Sequence, residues 1–246
     1  MTGFAARYPA VAHTFLPALD DDVTLDDEAA HHLSRVRRVR AGEVITVADG
    51  RGSWRPYAVA GVAPGAVELR AQAAPVDEPR LAPRLVVAFA LTKGAKPDFV
   101  VQKLTELGVD AVTVLAARRS VPRWSDERAA AAVARLGRVA REAAAQSRRA
   151  RLPAVDGVRP VDELHGRPGL VVADPGGSDP TSLAAPSGGE WVLVVGPEGG
   201  FDPDEEAALA GDRLGLGPHM LRAETAAVAG AAVLVTKRTQ MLESPG

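Results

Sequence analysis

A chain of 246 residues, 46% hydrophobic and 24% charged, can bury a sizeable core in one or two domains. The absence of cysteine excludes disulfides, thiolate metal sites and a cysteine nucleophile, and five scattered histidines lack metal-type spacing, so no metal is expected. The net charge of −2 conceals a division, since residues 81–155 carry 14 basic and 6 acidic groups whereas residues 156–246 carry 6 and 14; neither a secretory pattern nor a membrane-length apolar run occurs, so no membrane association and a cytoplasmic location are expected.

Residues 26–40 begin with a capping-type pattern and predict a short helix carrying His32, Arg35 and Arg38. Three short apolar runs follow at 44–47, 54–62 and 66–69. They are separated by the turn signals Asp49-Gly-Arg-Gly52 and Pro64-Gly65, which is the pattern of a small antiparallel β unit. Residues 73–83 turn to Pro, Asp, Glu and Ala and read as a linker. Beyond it, strand signals at 85–91, 109–116, 169–173 and 191–195 alternate with helical patterns at 97–107, 125–146 and 223–242. That alternation predicts an α/β domain with a mostly parallel sheet. Within it, Val100, Leu104 and Leu107 share one helix face, Gly108 is a stop signal, and Lys103 and Glu106 read as a structural pair.

The run Gly196-Pro-Glu-Gly-Gly200 joins the last apolar strand to a helix start in which Asp202 can cap, Pro203 fits the first position and Glu205 can close a capping box. Glycines at the end of a parallel strand let bare backbone groups approach a ligand, so a small-molecule site is expected; a tight turn is the alternative. No lysine follows the loop and Glu198 would repel a phosphate, which disfavours a nucleotide-phosphate site. The arginines clustered between 118 and 151 suit a phosphate-facing surface. Only four lysines stand against 25 arginines, however, so compositional habit is the competing explanation.

Five motifs in order carry a family resemblance: His32-Leu-Ser-Arg-Val-Arg-Arg38 with Asp49-Gly50; Lys93 to Lys96 with Gln102-Lys-Leu-Thr-Glu-Leu-Gly-Val109; residues 146–153; Gly196 to Gly200; and Leu221-Arg-Ala-Glu-Thr-Ala226. The chain resembles the RsmE family of bacterial 16S ribosomal RNA (uridine-N3) methyltransferases, of the SPOUT class. The resemblance implies a PUA-like RNA-binding β-barrel over residues 1–74 and an α/β methyltransferase domain over 75–246 with a C-terminal trefoil knot. It also implies S-adenosyl-L-methionine as cofactor, a homodimer, and as substrate a uridine near the decoding region of 16S rRNA, in free RNA or the assembled small subunit. None of these follows from periodicity, a knot least of all.

On that resemblance the cofactor residues are Gly196, Pro197, Glu198, Gly199, Gly200, Leu216, Gly217, Met220, Leu221, Arg222, Thr225 and Ala226. Uridine N3 is a weakly acidic imide that must lose its proton, so Arg222, Glu224 and Glu198 are the catalytic candidates. Arg222 would stabilise charge on a uracil oxygen, and a glutamate would accept the proton or orient the base. A salt bridge stapling the last helix and a first-turn carboxylate are the alternatives for Arg222 and Glu224. RNA contacts are expected from His32, Arg35, Arg38, Lys93, Lys96, Arg119, Arg148, Arg149 and Arg151. The chain departs from the family pattern at His219, where arginine is common, at Pro97, at Ala145 of the Ala145-Gln146 pair, where an acidic residue is common, and at Arg148. Methylation of another rRNA or tRNA site, and a non-catalytic RNA-binding module, are the rival functions.

Overall fold

The computed structural model describes residues 7, 9–25, 27–31, 33–34, 37–90, 96–120, 124–186 and 188–243. The chain divides into two compact units, one formed by residues 1–80 with 144–152, the other by 81–143 with 153–246.

The first unit is built on β1 (Ala12–Phe15), β2 (Asp22–Leu25), β3 (Val44–Ala48), β4 (Ser53–Ala63), β5 (Ala66–Ala71) and β6 (Val76–Asp77), with the short helix α1 (Asp27–His31). The strands run in the order β1-β3-β4-β5-β2, with β6 on β4; β1 and β3 are parallel and every other pairing is antiparallel. The predicted hairpins stand. The 49–52 turn closes because the Asp49 carboxylate accepts the N–H groups of Arg51, Gly52 and Ser53 at 2.7, 3.0 and 3.1 Å. Val44 faces solvent, whereas the inward residues (Ile45, Val47, Tyr57, Val59, Val67, Leu69) form one core with Leu25 and Leu33. Phe15, Ala48 and Trp54 form a second with Ala144 and Ala150.

Two sequence expectations are corrected in this unit. Residues 26–40 are not one helix: the α-helix covers Asp27–His31, and Arg38 has a φ of 53°, which no helix accommodates. The expected linker contains β6, which joins the sheet through pairing with Ser53 and Trp54. A two-residue strand with both side chains exposed has no periodicity to read.

The second unit has a six-stranded, all-parallel sheet: β7 (Arg84–Ala90), β8 (Ala111–Ala116), β9 (Ala154–Pro160), β10 (Leu170–Ser178), β11 (Glu190–Val195) and β12 (Asp212–Leu214), in the order β12-β10-β11-β7-β8-β9. Its helices are α2 (Lys96–Leu107), α3 (Asp126–Gln146), α4 (Pro203–Ala208) and α5 (Ala223–Glu243). Strand β7 sends Leu85, Val87 and Phe89 against α2, α3 and α5 through Val100, Leu104, Leu136 and Ala231. It sends Val86, Ala88 and Ala90 the other way, toward Val161, Leu164 and Leu209. Both faces are covered, which is why β7, β8 and β11 read as continuous apolar runs. Strands β9 and β12 are edge strands with few buried residues and give no such signal.

Helix α2 stops where Gly108, at φ 91°, takes the left-handed conformation; the Val109 N–H reaches Leu104 O at 3.1 Å and the Gly108 N–H reaches Thr105 O at 3.0 Å. Arg238 of α5, only 2% exposed, donates to Asp110 Oδ2 at 2.6 Å and to Gly108 O at 2.9 Å, and the same Asp110 oxygen accepts the Leu85 N–H at 2.9 Å. This buried pair ties α5 to the start of β8 and to β7. Among the described residues no helix is long and apolar enough to cross a membrane.

Candidate functional site

The strand order reverses between β7 and β11, and ligands of open α/β sheets bind outside the carboxyl ends of the strands at such a switch point. The glycine loop leaves β11 there. Gly196 passes so close to the Phe201 ring that a Cβ would stand 3.0 Å from it, and Gly200, at φ 69°, closes a turn by donating to Pro197 O at 2.9 Å. Helix α4 then starts with a complete capping box. Asp202 accepts the N–H groups of Asp204 and Glu205 at 3.0 Å each, and Glu205 accepts the Asp202 N–H at 3.1 Å. The other Glu205 oxygen, 2.8 Å away, accepts the backbone N–H of Arg118.

The loop opens on a cavity of about 620 Å³, within the range of small-molecule sites. Every expected cofactor residue except Thr225 lines it: Gly196 to Gly200, Leu216, Gly217, Met220, Leu221, Arg222 and Ala226. Thr225 is exposed on the first turn of α5. The fold adds walls that no motif announces, namely Val172 to Pro175 of β10, Phe201, Glu206, Arg213 and Leu214. Arg213 donates to Glu206 Oε1 at 2.5 Å and stands 3.8 Å from Asp174 Oδ2. His219 also lines the cavity, and Met220 at its rim is 81% exposed.

The three catalytic candidates are placed differently. Glu198 and Arg222 line the cavity, and Arg222 makes no ion pair among the described residues. Glu224 is not part of the lining. Its carboxylate stands 3.2 Å from the Lys96 ammonium, which also reaches Glu198 at 3.5 Å. Partial burial opposes the Glu224 charge, but the helix-end N–H of Glu224 itself and the Lys96 ammonium outweigh it and hold the carboxyl below the usual range.

Four of the basic residues expected to meet RNA, Lys96, Arg119, Arg148 and Arg151, have side-chain partners within the protein. Lys96 is occupied as described, and Arg119 donates to Gly199 O at 3.2 Å. The neighbouring Arg118 grips Asp202 and Asp204 at 2.9 and 2.8 Å, hydrogen bonds that raise its pKa further above the ordinary value. In the first unit, Arg148 donates to Arg7 O at 2.6 Å, Arg151 donates to Glu78 O, and the Arg149 carbonyl accepts from His13. Arg38 is exposed; His32, Arg35 and Lys93 lie outside the described residues. Lys103 and Glu106 form the expected structural pair at 2.8 Å. Among the described residues no cluster of three or more His, Asp or Glu could hold a metal ion.

The unit that holds this glycine-loop cavity is an RNA methyltransferase domain and the small β unit a PUA domain: residues 79–235 match the family model of the RNA methyltransferase domain, and residues 25–72 that of the RNA methyltransferase PUA domain. The chain belongs to the ribosomal RNA small subunit methyltransferase E family, whose member from Mycobacterium bovis is 35% identical over 237 residues, covering 91% of this chain and 90% of the relative. The Bacillus subtilis member is 30% identical, covering 82% and 85%. The crystal structure of the Neisseria gonorrhoeae enzyme of that name, bound to S-adenosyl methionine, superposes with a TM-score of 0.80 at 28% identity, over 92% of this chain and 97% of the other. The fold is thus a PUA domain with a SPOUT methyltransferase domain.

Proposed function

We propose that this protein transfers a methyl group from S-adenosyl-L-methionine to N3 of a uridine in 16S rRNA, near the decoding region of the small subunit. The cavity carries the reading. Its residues fit the donor: Val172, Val195, Leu214 and Leu216 offer an apolar wall to a purine ring, and the exposed Gly199 and Gly200 offer backbone groups to polar edges. The lining sets three carboxylates, Asp174, Glu198 and Glu206, against the guanidinium groups of Arg213 and Arg222.

The cofactor supplies an activated methyl group; the protein must bind it, exclude water and ionise the base. N3 lies on the pairing edge, so the uridine has to be unpaired or extruded to reach the cavity. Arg222, exposed at the lining and without an ion pair among the described residues, stabilises the uracil oxygen as the imide loses its proton. Glu198, one of the carboxylates in the lining, accepts that proton or orients the ring in this reading. Glu224, tied to Lys96, supports the site from outside the lining. The division into an RNA-binding domain (1–74) and a catalytic domain (75–246), the trefoil knot, the homodimer and the cytoplasmic location belong to the same reading and rest on the resemblance.

Two measurements test it. S-adenosylmethionine and its demethylated product should raise the melting temperature, whereas NAD and ATP should not. Small subunits from a strain lacking the enzyme should gain N3-methyluridine when treated with the protein and donor; unchanged RNA would overturn the assignment.

A further inference from the structure

Lys96 opens helix α2, and the basic division of the sequence suggests that it faces phosphate. Its geometry differs. The ammonium lies between two carboxylates of the acidic segment, 3.2 Å from Glu224 Oε1 and 3.3 Å from Oε2, and 3.5 Å from Glu198 Oε1. The two partners are unequal. The Glu224 side chain is 15% exposed and sits on the first turn of a 21-residue helix, where backbone N–H groups favour a carboxylate. The Glu198 side chain is 56% exposed and belongs to a loop of glycines with no helix or strand to fix it. The shielded, helix-borne partner therefore anchors the ammonium, and the ammonium restrains the exposed, loop-borne one.

We propose that Lys96 is a positioning residue for methyl transfer: anchored on Glu224, it holds Glu198 and the glycine loop in place at the cavity, and it is not a phosphate contact. Arg119 holds the same loop from another side through Gly199 O. The charged groups facing Glu224 are Lys96 from α2 and Arg222 just ahead of α5, with Glu198 reaching the shared ammonium from the loop. This role rests on the methyltransferase reading, but the contact itself is testable without cofactor or RNA.

The test compares Lys96→Met, which keeps the apolar stem, with Lys96→Arg. In the full-length protein without ligand, the Glu224 carboxyl, followed by carbon NMR, should titrate at higher pH in Lys96→Met. S-adenosylmethionine should bind more weakly by calorimetry. With small subunits as substrate, turnover should fall by about ten- to a hundredfold, as for a misplaced group at a reacting centre, while the KM for RNA and its salt dependence stay unchanged. Lys96→Arg should restore turnover. If Lys96→Met instead raises the RNA KM and flattens the salt dependence at unchanged turnover, Lys96 is a phosphate contact and the proposal falls. An unmoved Glu224 titration would also overturn it. If the wild-type protein binds no donor, the functional reading fails, and the Glu224 titration still decides the contact.

Discussion

His13 shows how much a single buried ring can fix. It is 4% exposed on β1, and its two nitrogens have different partners: Nε2 lies 2.9 Å from the Arg149 carbonyl and Nδ1 lies 2.8 Å from Thr46 Oγ1. A carbonyl only accepts, so Nε2 carries the proton and Nδ1 accepts from the threonine hydroxyl. The neutral ring is fully satisfied. Burial, followed by repulsion from Arg7 and Arg148, outweighs the Arg149 carbonyl and pushes the pKa from 6.5 to about 4. The folded pKa is depressed, so the unfolded chain binds the proton first, and the contribution present above about pH 6.5 is lost as pH falls toward 4. The shift corresponds to roughly 3 kcal/mol. Urea denaturation at pH 7 and pH 4.5 should show this loss in the wild type, and His13→Gln should be much less pH-dependent; equal pH dependence of the two would refute it. No periodicity reveals such a role, because the partner lies 136 residues away.

At the scale of elements, legibility followed the source of the ordering energy. The capping box at α4 is local, so Asp202, Pro203 and Glu205 could be read as they stand. What the local pattern omits is the second Glu205 partner, the Arg118 N–H from the loop after β8. Glu205 is 2% exposed and joins α4 to that loop. Asp202→Ala loses cap bonds worth about 1 kcal/mol and a half-exposed pair with Arg118 that adds little. Glu205→Ala leaves two N–H groups without an acceptor and should cost more, about 1–3 kcal/mol. Urea midpoints of the two variants check the order; an equal or smaller loss for Glu205→Ala would refute it. Central strands were legible because burial on both faces leaves an unbroken apolar run. The strands β1, β2, β6, β9 and β12 were not, since each is very short or lies at a sheet edge, where pairing with a distant segment supplies the order.

For the whole molecule, the opposed charges of the middle and last segments are partly spent on each other. Lys96 meets Glu198 and Glu224, and Arg118 meets Asp202 and Asp204. Fewer basic groups are left for RNA than the count suggests. Arg138, exposed on α3 and without an ion pair among the described residues, is one that is left. If it contacts phosphate, Arg138→Ala should lower the slope of log affinity against log salt by about 0.7–0.9, the share of one phosphate contact. Arg118→Ala should leave that slope unchanged. Filter binding to 16S rRNA fragments over a salt series measures both, and identical slopes for wild type and Arg138→Ala would remove Arg138 from the interface.

The sequence by itself determined the α/β class, the glycine loop with its capped helix and, through five ordered motifs, the family. These are signals carried by neighbours in the chain, where turn geometry, capping and strand burial are set within a few residues. Only the tertiary structure decided which charges are free and which are partnered, that residues 144–152 pack with the first unit, and that Lys96 sits between two carboxylates. Ion pairs and edge strands join segments about a hundred residues apart, and nothing in local spacing encodes a contact that folding alone brings within 4 Å.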